Sequence, residues 1–540
     1  MFKTVQILVF SLFVSSTSAF AQLPELNIER PFRRCGTSML LEREKSQNKG
    51  QTRAVSTSRQ YVAHTDTVTI PVILVNFSDV KFTVNEPKTA FEQMFNGTTQ
   101  EDLGNKNKMN YRSVAQYFNK MSGNTFMPRF KVYGPVTVAH PETHYGGTNP
   151  DDNNDEHPQL LVKDALALIE DSVTMEDLED FSLDGSSIES VYILYAGIDQ
   201  NDNGPATAVW ANTWTTGGAT LGGKNVRWYT MSGELSPFKM TTDGNISPNG
   251  TIPVITGLGV ACHEFSHALG LPDIYPTNAF ARVDNQEMEY WDLMDGGEYA
   301  GNGYYPTAYT AFEKHEMGWP VDIEELTANK AVTMSKSTLE GGTAYKIVNP
   351  KNSDEYFMLE KITKEGWNSY QKGEGLLIYH VNRPSGDINV DTRFNNTPYF
   401  PGMAVVPADG AVLSSYNKSY SNDTYFSSLT GDLFPGTRNM SPDTLNVTEL
   451  SDAKPQPNFW WYNSTLTSKL STNKALKIIK YDNGVVTFNY IHDVAAGIND
   501  IRINKPVDNR IFTIDGVYIG TDLAPLPHGV YIINGRKIAK

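Results

Sequence analysis

The pattern of apolar and polar positions predicts mixed strands and helices in the N-terminal half of the chain. Apolar residues run almost without interruption through residues 67–77 and 190–196, as they do in buried strands. Pro71 lies within the first run and places that strand at a sheet edge or a bulge, because proline donates no hydrogen bond. Apolar residues recur at helical spacing in residues 110–121 and 159–169. We therefore expect an α+β domain in this region.

The pattern changes after about residue 320. Short alternating runs, for example residues 356–359, 375–381 and 485–490, are separated by Gly, Pro, Asn and Asp. This spacing predicts a β-sandwich-like domain over residues 321–493. Residues 494–540 read as small hairpins joined by glycine turns and form a separate C-terminal β segment.

Residues 260–275, VACHEFSHALGLPDIY, contain the side chains of a candidate metal site. His263 and His267 are four residues apart, so on a helix their imidazoles leave the same face and can bind one metal ion. Gly270 is placed to end that helix, after which the chain can return and bring Asp273 to the same ion. Two imidazoles, a carboxylate and an open position are the ligand set of a catalytic zinc site. Glu264 beside the first histidine is the candidate general base.

The spacing His-Glu-x-x-His-x-x-Gly-x-x-Asp resembles the extended zinc motif of the metzincin clan, with Asp273 in place of the usual third histidine. Together with the later stretch WDLMDGG it resembles the immune-inhibitor-A-like secreted metalloproteases. The resemblance implies that residues 66–320 form a zinc metalloprotease catalytic domain. It also implies that Met294 makes a turn beneath the zinc; from the residues alone, Met294 would be an ordinary core methionine.

The N-terminus indicates export. Residues 1–21 carry Lys3, then an apolar stretch, then Ala19-Phe20-Ala21, which is typical of a signal peptide cleaved before Gln22. No later segment has the length of a membrane span, so we expect a secreted or cell-surface protein. The net charge of −16 argues against nucleic acid as a partner. The resemblance to metalloproteases implies protein or peptide substrates. The sequence leaves the oligomeric state open.

The chain has two cysteines, Cys35 and Cys262, which is too few for a disulfide framework. Residues 22–65 are polar and weakly periodic, as a prosegment or an extended arm would be. A thiolate at Cys35 could occupy the open zinc position and hold the enzyme latent, and its surroundings resemble the cysteine-switch segment of some metzincin zymogens. A free surface thiol and a disulfide between the two cysteines stay open as alternatives.

Calcium is a possible second cofactor. Residues 199–204, DQNDNG, place oxygen side chains at alternate positions with glycine sixth, like the first half of a calcium loop. Trp210 stands where the distal glutamate of such a loop is expected. A solvated turn is therefore the favoured interpretation.

The C-terminal hairpins resemble the sorting segments of proteins exported by the type IX secretion system. The leading function is a secreted zinc endopeptidase that cuts extracellular proteins. One alternative is a zinc hydrolase of narrow specificity, acting on a glycoprotein or a cell-wall amide. Another is a surface-binding protein with a structural zinc site, against which Glu264 argues because a structural site needs no base.

Overall fold

A computed structural model describes residues 37, 60–98, 110–147, 155–242, 246–247, 250–282, 286–417, 419–440, 443–454, 457–462, 470–494, 510–514, 517–533 and 536–540. The predicted signal peptide and Cys35 lie outside these residues. Among the helices described, none combines the length and the apolar character that a membrane span requires. Helices and strands are mixed, as expected for the α+β class.

One large sheet forms the centre of the N-terminal region. Its strands are β1 (Asp66–Asn76), β2 (Phe126–Thr137), β3 (Ser187–Ile198), β4 (Asn212–Thr215), β5 (Thr220–Leu221), β6 (Lys224–Met240), β7 (Ile246–Ser247) and β8 (Ile252–Ile255). The main order is β2-β1-β3-β6-β4, and the first four of these strands are parallel. β4 runs antiparallel to β6 and forms the edge of this order, while β5, β7 and β8 also pair with β6.

The helices of this region are α1 (Pro87–Asn96), α2 (Val114–Met121), α3 (Glu142–Tyr145), α4 (Pro158–Ile169), α5 (Met175–Asp180), α6 (Leu258–Leu269) and α7 (Ala311–Glu316). Short 3₁₀ turns span Glu170–Ser172, Ala279–Ala281, Glu289–Trp291 and Gly296–Gly303. α6 ends at Gly270, whose φ of 114° provides the C-cap that the sequence predicts. α7 begins with a capping box between Thr310 and Glu313.

The expectation that Pro71 lies at a sheet edge is wrong. β1 lies between β2 and β3 and pairs with both strands. The pairing with β3 begins at Val72, one residue after Pro71, so the missing N–H of proline costs no hydrogen bond on that side. A register shift in the pairing with β2 lies further along, between Ile73 and Val75.

Two further sheets follow. The first contains β9 (Asp322–Glu325), β11 (Thr343–Asn349), β12 (Asn352–Ile362), β13 (Gly375–Asn382) and β14 (Met403–Val405); the second contains β10 (Lys330–Met334), β17 (Leu450–Ser451), β20 (Ala475–Asp482) and β21 (Val485–Ile491). Apolar side chains of both sheets meet in one buried cluster, which also contains Phe459 and Trp461.

Smaller elements complete this part of the chain. They are the 3₁₀ turns Thr338–Glu340 and Gly366–Asn368, helix α8 (Asn422–Leu429), the pair β15 (Gly436–Met440) and β16 (Asp443–Val447), and the pair β18 (Trp460–Trp461) and β19 (Leu470–Ser471). A last sheet contains β22 (Ile511–Thr513), β23 (Tyr518–Gly520), β24 (Val530–Ile533) and β25 (Arg536–Ala539).

The large sheet and the sheet of β12 and β13 share a core. Phe312, on α7, lies in the same buried cluster as Met358 and Tyr379 of the downstream sheet. Helix α6 lies within this core, because all twelve of its residues are buried. The helix of the zinc motif is therefore held from several sides, which favours a rigid site.

We expect Gly259→Ala to destabilise the protein. Gly259 lies in the first turn of α6, where a Cβ would collide with the main-chain oxygen of Glu298. A backbone atom cannot yield as a flexible side chain does, so we expect a loss of about 1–3 kcal/mol in the free energy of unfolding. Denaturant unfolding would measure it. Gly529→Ala is the control, since its new methyl group meets nothing closer than 3.4 Å; equal losses in both variants would contradict the prediction.

Candidate active site

The structure brings His263, His267 and Asp273 together. One ligand atom from each residue lies within 4.8 Å of the others, and all three side chains are buried. The two histidines lie one turn apart on α6. The left-handed Gly270 then reverses the chain, so that Asp273 returns to the face that carries both imidazoles.

The distances between these ligand atoms fit one tetrahedral metal ion. Oδ1 of Asp273 lies 3.4 Å from Nε2 of His263 and 3.3 Å from Nε2 of His267. Metal–ligand bonds of about 2.05 Å at tetrahedral angles separate neighbouring ligand atoms by about 3.4 Å. The spacing of Asp273 from both histidines is therefore compatible with one bound metal ion.

Both imidazoles are oriented through their other nitrogen. Nδ1 of His263 donates to the carbonyl of Leu293 at 3.0 Å, and Nδ1 of His267 donates to the carbonyl of Leu271 at 2.7 Å. A carbonyl only accepts, so the proton of each neutral ring lies on Nδ1 and the Nε2 lone pair faces Asp273. Lone pairs and a carboxylate facing each other repel unless a cation lies between them.

The pKa shifts of the three side chains indicate that positive charge is favoured at the point where they meet. Burial lowers the pKa of His263, which keeps its imidazole neutral. Burial also lowers the pKa of His267, but the charge of Asp273 outweighs burial and the net shift is upward. For Asp273, burial raises the pKa, yet the two histidines outweigh burial and hold it well below its usual range. A bound metal ion supplies the same positive charge.

The segment around Met294 accepts hydrogen bonds from the segments of two candidate ligands. The carbonyl of Met294 accepts a hydrogen bond from the N–H of Ile274, the residue after Asp273, at 2.9 Å. The preceding carbonyl, that of Leu293, holds His263. Met294 itself is fully buried. This turn therefore contacts the segments of two of the three candidate ligands.

Glu264 lies on helix α6, next to the edge strand β4. Its main-chain oxygen accepts a hydrogen bond from Oγ1 of Thr213 at 2.6 Å. Its carboxylate accepts one from Oγ1 of Thr37 at 3.2 Å, and Thr37 accepts one from the N–H of Thr213 at 2.9 Å. Thr37 is 1% exposed. A residue from the predicted prosegment thus contacts both the candidate base and the sheet edge.

Two buried carboxyl groups lie beside the Met294 turn and in helix α7. Asp292 accepts a hydrogen bond from the N–H of Met294 at 2.7 Å, and Glu313 accepts two from Thr310. Burial and the neighbouring charge of Glu313 raise the pKa of Asp292 well above its ordinary value, and burial raises that of Glu313 to about 7. Each of the two groups therefore holds its proton to a higher pH than a solvated carboxyl group does.

Two expectations about cysteine and acidic residues can be compared with the structure. Cys262 is a free, buried thiol whose pKa is raised by burial, so no disulfide joins it to Cys35 here. Asp199, Asn201 and Asp202 are 0%, 4% and 7% exposed. The interpretation of residues 199–204 as a solvated turn is therefore wrong for its acidic side chains.

Sequence reasoning missed several residues of the site. Thr213 lies on a four-residue strand that is too short for a clear alternation, and its polar side chain faces inward. The partners Asp292 and Glu313 lie 21 residues apart in different elements, so no motif joins them. Thr37 gave no local signal other than its position two residues after Cys35.

Two imidazoles and one carboxylate around a single point, with a glutamate next to the first imidazole, define the class of mononuclear metal-dependent hydrolases. Residues 56–320 match the family profile of the immune inhibitor A peptidase M6 catalytic domain. This match covers just under half of the chain and confirms the resemblance to metalloproteases seen in the sequence.

Similar proteins bear related names. The pre-pro-metalloprotease PrtV of Vibrio cholerae is 27% identical over 249 residues, which cover 42% of this chain and 26% of that protein. Immune inhibitor A of Bacillus thuringiensis subsp. alesti is 26% identical over 276 residues, 45% of this chain and 38% of that protein. The chain thus spans well under half the length of these relatives. The crystal structure of OgpA from Akkermansia muciniphila has a TM-score of 0.24 and 12% identity, covering 58% of this chain and 76% of that one.

We expect Asp292→Asn to reduce the pH dependence of stability. The raised pKa values mean that the folded protein retains protons that the unfolded chain releases, so stability falls as pH rises from about 4 to above 7. Each such proton contributes a slope of up to about 1.4 kcal/mol per pH unit. Asparagine stays neutral and can still accept from Met294, so the fall should be shallower.

The measurement is the melting temperature of wild type and variant between about pH 5 and 9. Asp180→Asn is the control, because Asp180 is exposed. Parallel curves for wild type and Asp292→Asn would contradict a raised pKa of Asp292 in the folded protein.

Proposed function

We propose that this chain is a secreted zinc endopeptidase in which His263, His267 and Asp273 hold the metal and Glu264 is the general base. The observation that carries the proposal is the convergence of the three ligand atoms within 4.8 Å, with Oδ1 of Asp273 at tetrahedral spacing from both histidine nitrogens and both imidazoles oriented by carbonyls. When bound, zinc supplies a Lewis acid that polarises the scissile carbonyl and acidifies water. Glu264 accepts the proton of that water and returns it to the leaving amine.

We propose that the main chain of the substrate binds along the edge strand β4. Among the described strands β4 pairs only with β6, so its outer edge is available for an added strand. The outward N–H of Thr213 donates to Thr37, which shows that an acceptor fits at this position. A peptide carbonyl in the same place would be held next to Glu264, because Thr213 also bonds the main chain of that residue.

We propose that the residues after 320 support the catalytic region rather than carry chemistry. Asp432 accepts hydrogen bonds from Trp291 at 2.7 Å and from Gln286 at 2.6 Å, so it holds the segment that leads into the Met294 turn. The β-sandwich-like domain of residues 321–493 would then fix the floor of the site. Residues 494–540 are proposed as a sorting segment for export.

We expect Glu264→Gln to abolish cleavage of casein while zinc is retained. Glutamine has the same shape and can still accept from Thr37, but it cannot take up a proton. General-base catalysis contributes about 10²–10⁴-fold, so the rate should fall by at least that factor. Zinc per chain and casein cleavage are measured on processed protein, with Glu176→Gln, an exposed glutamate, as the control.

Two outcomes of that experiment count against the proposal. If the variant cleaves casein as fast as the wild type, Glu264 is not the base. If wild type and variant both hold zinc and neither cleaves casein after processing, the alternative of a narrow-specificity hydrolase or a binding protein is favoured.

We further propose that the segment containing Cys35 and Thr37 keeps the unprocessed protein latent. Thr37 donates a hydrogen bond to the carboxylate of Glu264 and accepts one from the N–H of Thr213. It therefore occupies the two groups that the substrate needs. Cys35, two residues earlier, is proposed to place its thiolate on the metal, because soft sulfur binds zinc well.

We expect Thr37→Val and Cys35→Ser to raise peptide cleavage by the unprocessed chain. Valine keeps the volume of threonine but removes both hydrogen bonds, and serine removes the soft ligand. The initial rate of each unprocessed variant is compared with that of the processed enzyme, which gives the rate expected when latency is fully relieved. An increase with Thr37→Val alone would assign latency to the hydrogen bonds and not to the thiol; no increase with either variant would refute latency.

A further inference from the structure

A cavity of about 150 Å³ lies where the downstream sheet meets the segment that leads into the Met294 turn. Val405, which ends β14, and Gln286, from that segment, both line it. The N–H of Val405 donates to the carbonyl of Glu287 at 3.1 Å, so the two segments are fixed to each other. An apolar cavity of this volume is large enough to hold benzene. The cavity therefore has room for one aromatic side chain.

The ring of His380 lines this cavity and is held between two aromatic side chains. It stacks on Phe357 with the ring centroids 4.3 Å apart, and on Tyr462 with the centroids 4.4 Å apart. Two rings this close cannot share one face of an imidazole, so His380 is enclosed from both sides. The residue is 4% exposed. Its ring is therefore kept in a single orientation.

The partner of His380 decides which ring nitrogen can accept a hydrogen bond. Nε2 lies 3.0 Å from Oε1 of Glu355. The carboxylate of Glu355 also accepts from the N–H of Tyr462 at 2.6 Å and from Nδ2 of Asn349 at 2.7 Å, so it is an acceptor toward all its partners named here. Burial lowers the pKa of His380, which keeps the ring neutral. The single ring proton therefore lies on Nε2, and Nδ1 carries a lone pair.

Nδ1 of His380 is the acceptor that the cavity offers. Among the residues that the structure describes, the hydrogen bond of the His380 ring is made through Nε2, and Nδ1 has no donor. An enclosed acceptor without a donor is costly. Most other side chains that line the cavity are apolar: Pro401, Ala404, Val405, Val406, Pro407 and Val412. A matching ligand therefore combines an apolar body with one hydrogen-bond donor.

Tyr399 also lines the cavity and shows that it opens to solvent. This residue is 63% exposed and has a φ of 64°, in the left-handed region that a bulky side chain rarely adopts. Strained backbone of this kind is concentrated at sites that hold ligands. An exposed tyrosine ring offers a rigid surface on which the main chain of a bound peptide can pack.

We propose that this cavity binds a tyrosine side chain of a polypeptide, with the ring between the apolar walls and the hydroxyl donating to Nδ1 of His380. Phenylalanine fills the same volume but brings no donor. The indole of tryptophan has a donor but is larger than a benzene ring, and a lysine would lose its water among apolar walls. Binding of the ring does not depend on peptidase activity. Its use as a contact for substrates, away from the cleaved bond, rests on the proposed function.

The test uses the full chain as Glu264→Gln, so that peptide probes are not cleaved and the outcome does not depend on the proposed base. Calorimetry compares two end-blocked glycine peptides that carry either tyrosine or phenylalanine at the centre, and compares phenol with toluene. We expect the tyrosine peptide to bind with a dissociation constant of about 1 mM or lower. The phenylalanine peptide should bind about 3–10-fold more weakly, because it lacks one hydrogen bond. Phenol should exceed toluene by a similar factor.

Matched variants locate the binding. His380→Phe keeps a stacked ring but removes the acceptor, so the preference for tyrosine over phenylalanine should disappear. Tyr399→Asn suits the left-handed backbone and should weaken the tyrosine peptide about threefold or more without lowering the melting temperature. Tyr518→Asn removes a tyrosine of the last sheet that is 53% exposed, and should leave binding unchanged. If His380→Phe does not fold, Tyr399→Asn and the preference of the parent protein decide the question.

Three results would overturn the proposal. The first is equal binding of the tyrosine and phenylalanine peptides by the parent protein, since Nδ1 of His380 would then contribute nothing. The second is equal affinity for the tyrosine peptide in the parent protein and in Tyr399→Asn, which would place the ring elsewhere. The third is binding of phenol without binding of the tyrosine peptide, which would assign the cavity to a free aromatic molecule and not to a polypeptide.

Discussion

The hydrogen bond from His263 to the carbonyl of Leu293 is the interaction on which the candidate site depends most. It fixes the ring orientation of one ligand, and the next carbonyl, that of Met294, fixes Ile274 and hence the segment of Asp273. Two of the three ligand segments are thus oriented by adjacent peptide groups of one turn. A displacement of that turn would move both segments together, and small displacements are costly at a site of this kind.

The turn itself rests on buried charge rather than on apolar packing alone. Asp292 accepts from the N–H of Met294, the neighbouring charge of Glu313 raises the pKa of Asp292, and Asp432 of the downstream region holds the preceding Trp291. Such contacts add little net stability, because burying carboxyl groups costs about as much as their hydrogen bonds return. They do fix one geometry, since a displaced carboxyl group would lose its partners. Rigidity of the site and stability of the fold therefore have different sources in this protein.

The part of the site that could be predicted from sequence is the part that is local. Helix α6, its end at Gly270 and the return to Asp273 all follow from spacing within eleven residues. The remaining contacts join distant segments: Leu293 lies 30 residues from His263, and Thr37 lies 227 residues from Glu264. No periodicity encodes such pairs. The position of Pro71 was predicted wrongly for a similar reason. The pairing of β1 with β3, which begins at Val72, joins two distant segments of the chain.

The edge strand β4 connects the candidate zinc site with the acidic loop. Its Thr213 holds the main chain of Glu264, and the loop that begins at Asp199 delivers the strand to that position. Asp199 is itself bonded to Gly233 on β6, the strand with which β4 pairs. The start of the loop and the strand that follows it are therefore both hydrogen-bonded to β6. The position of the proposed substrate edge opposite Glu264 therefore depends on this buried acidic loop.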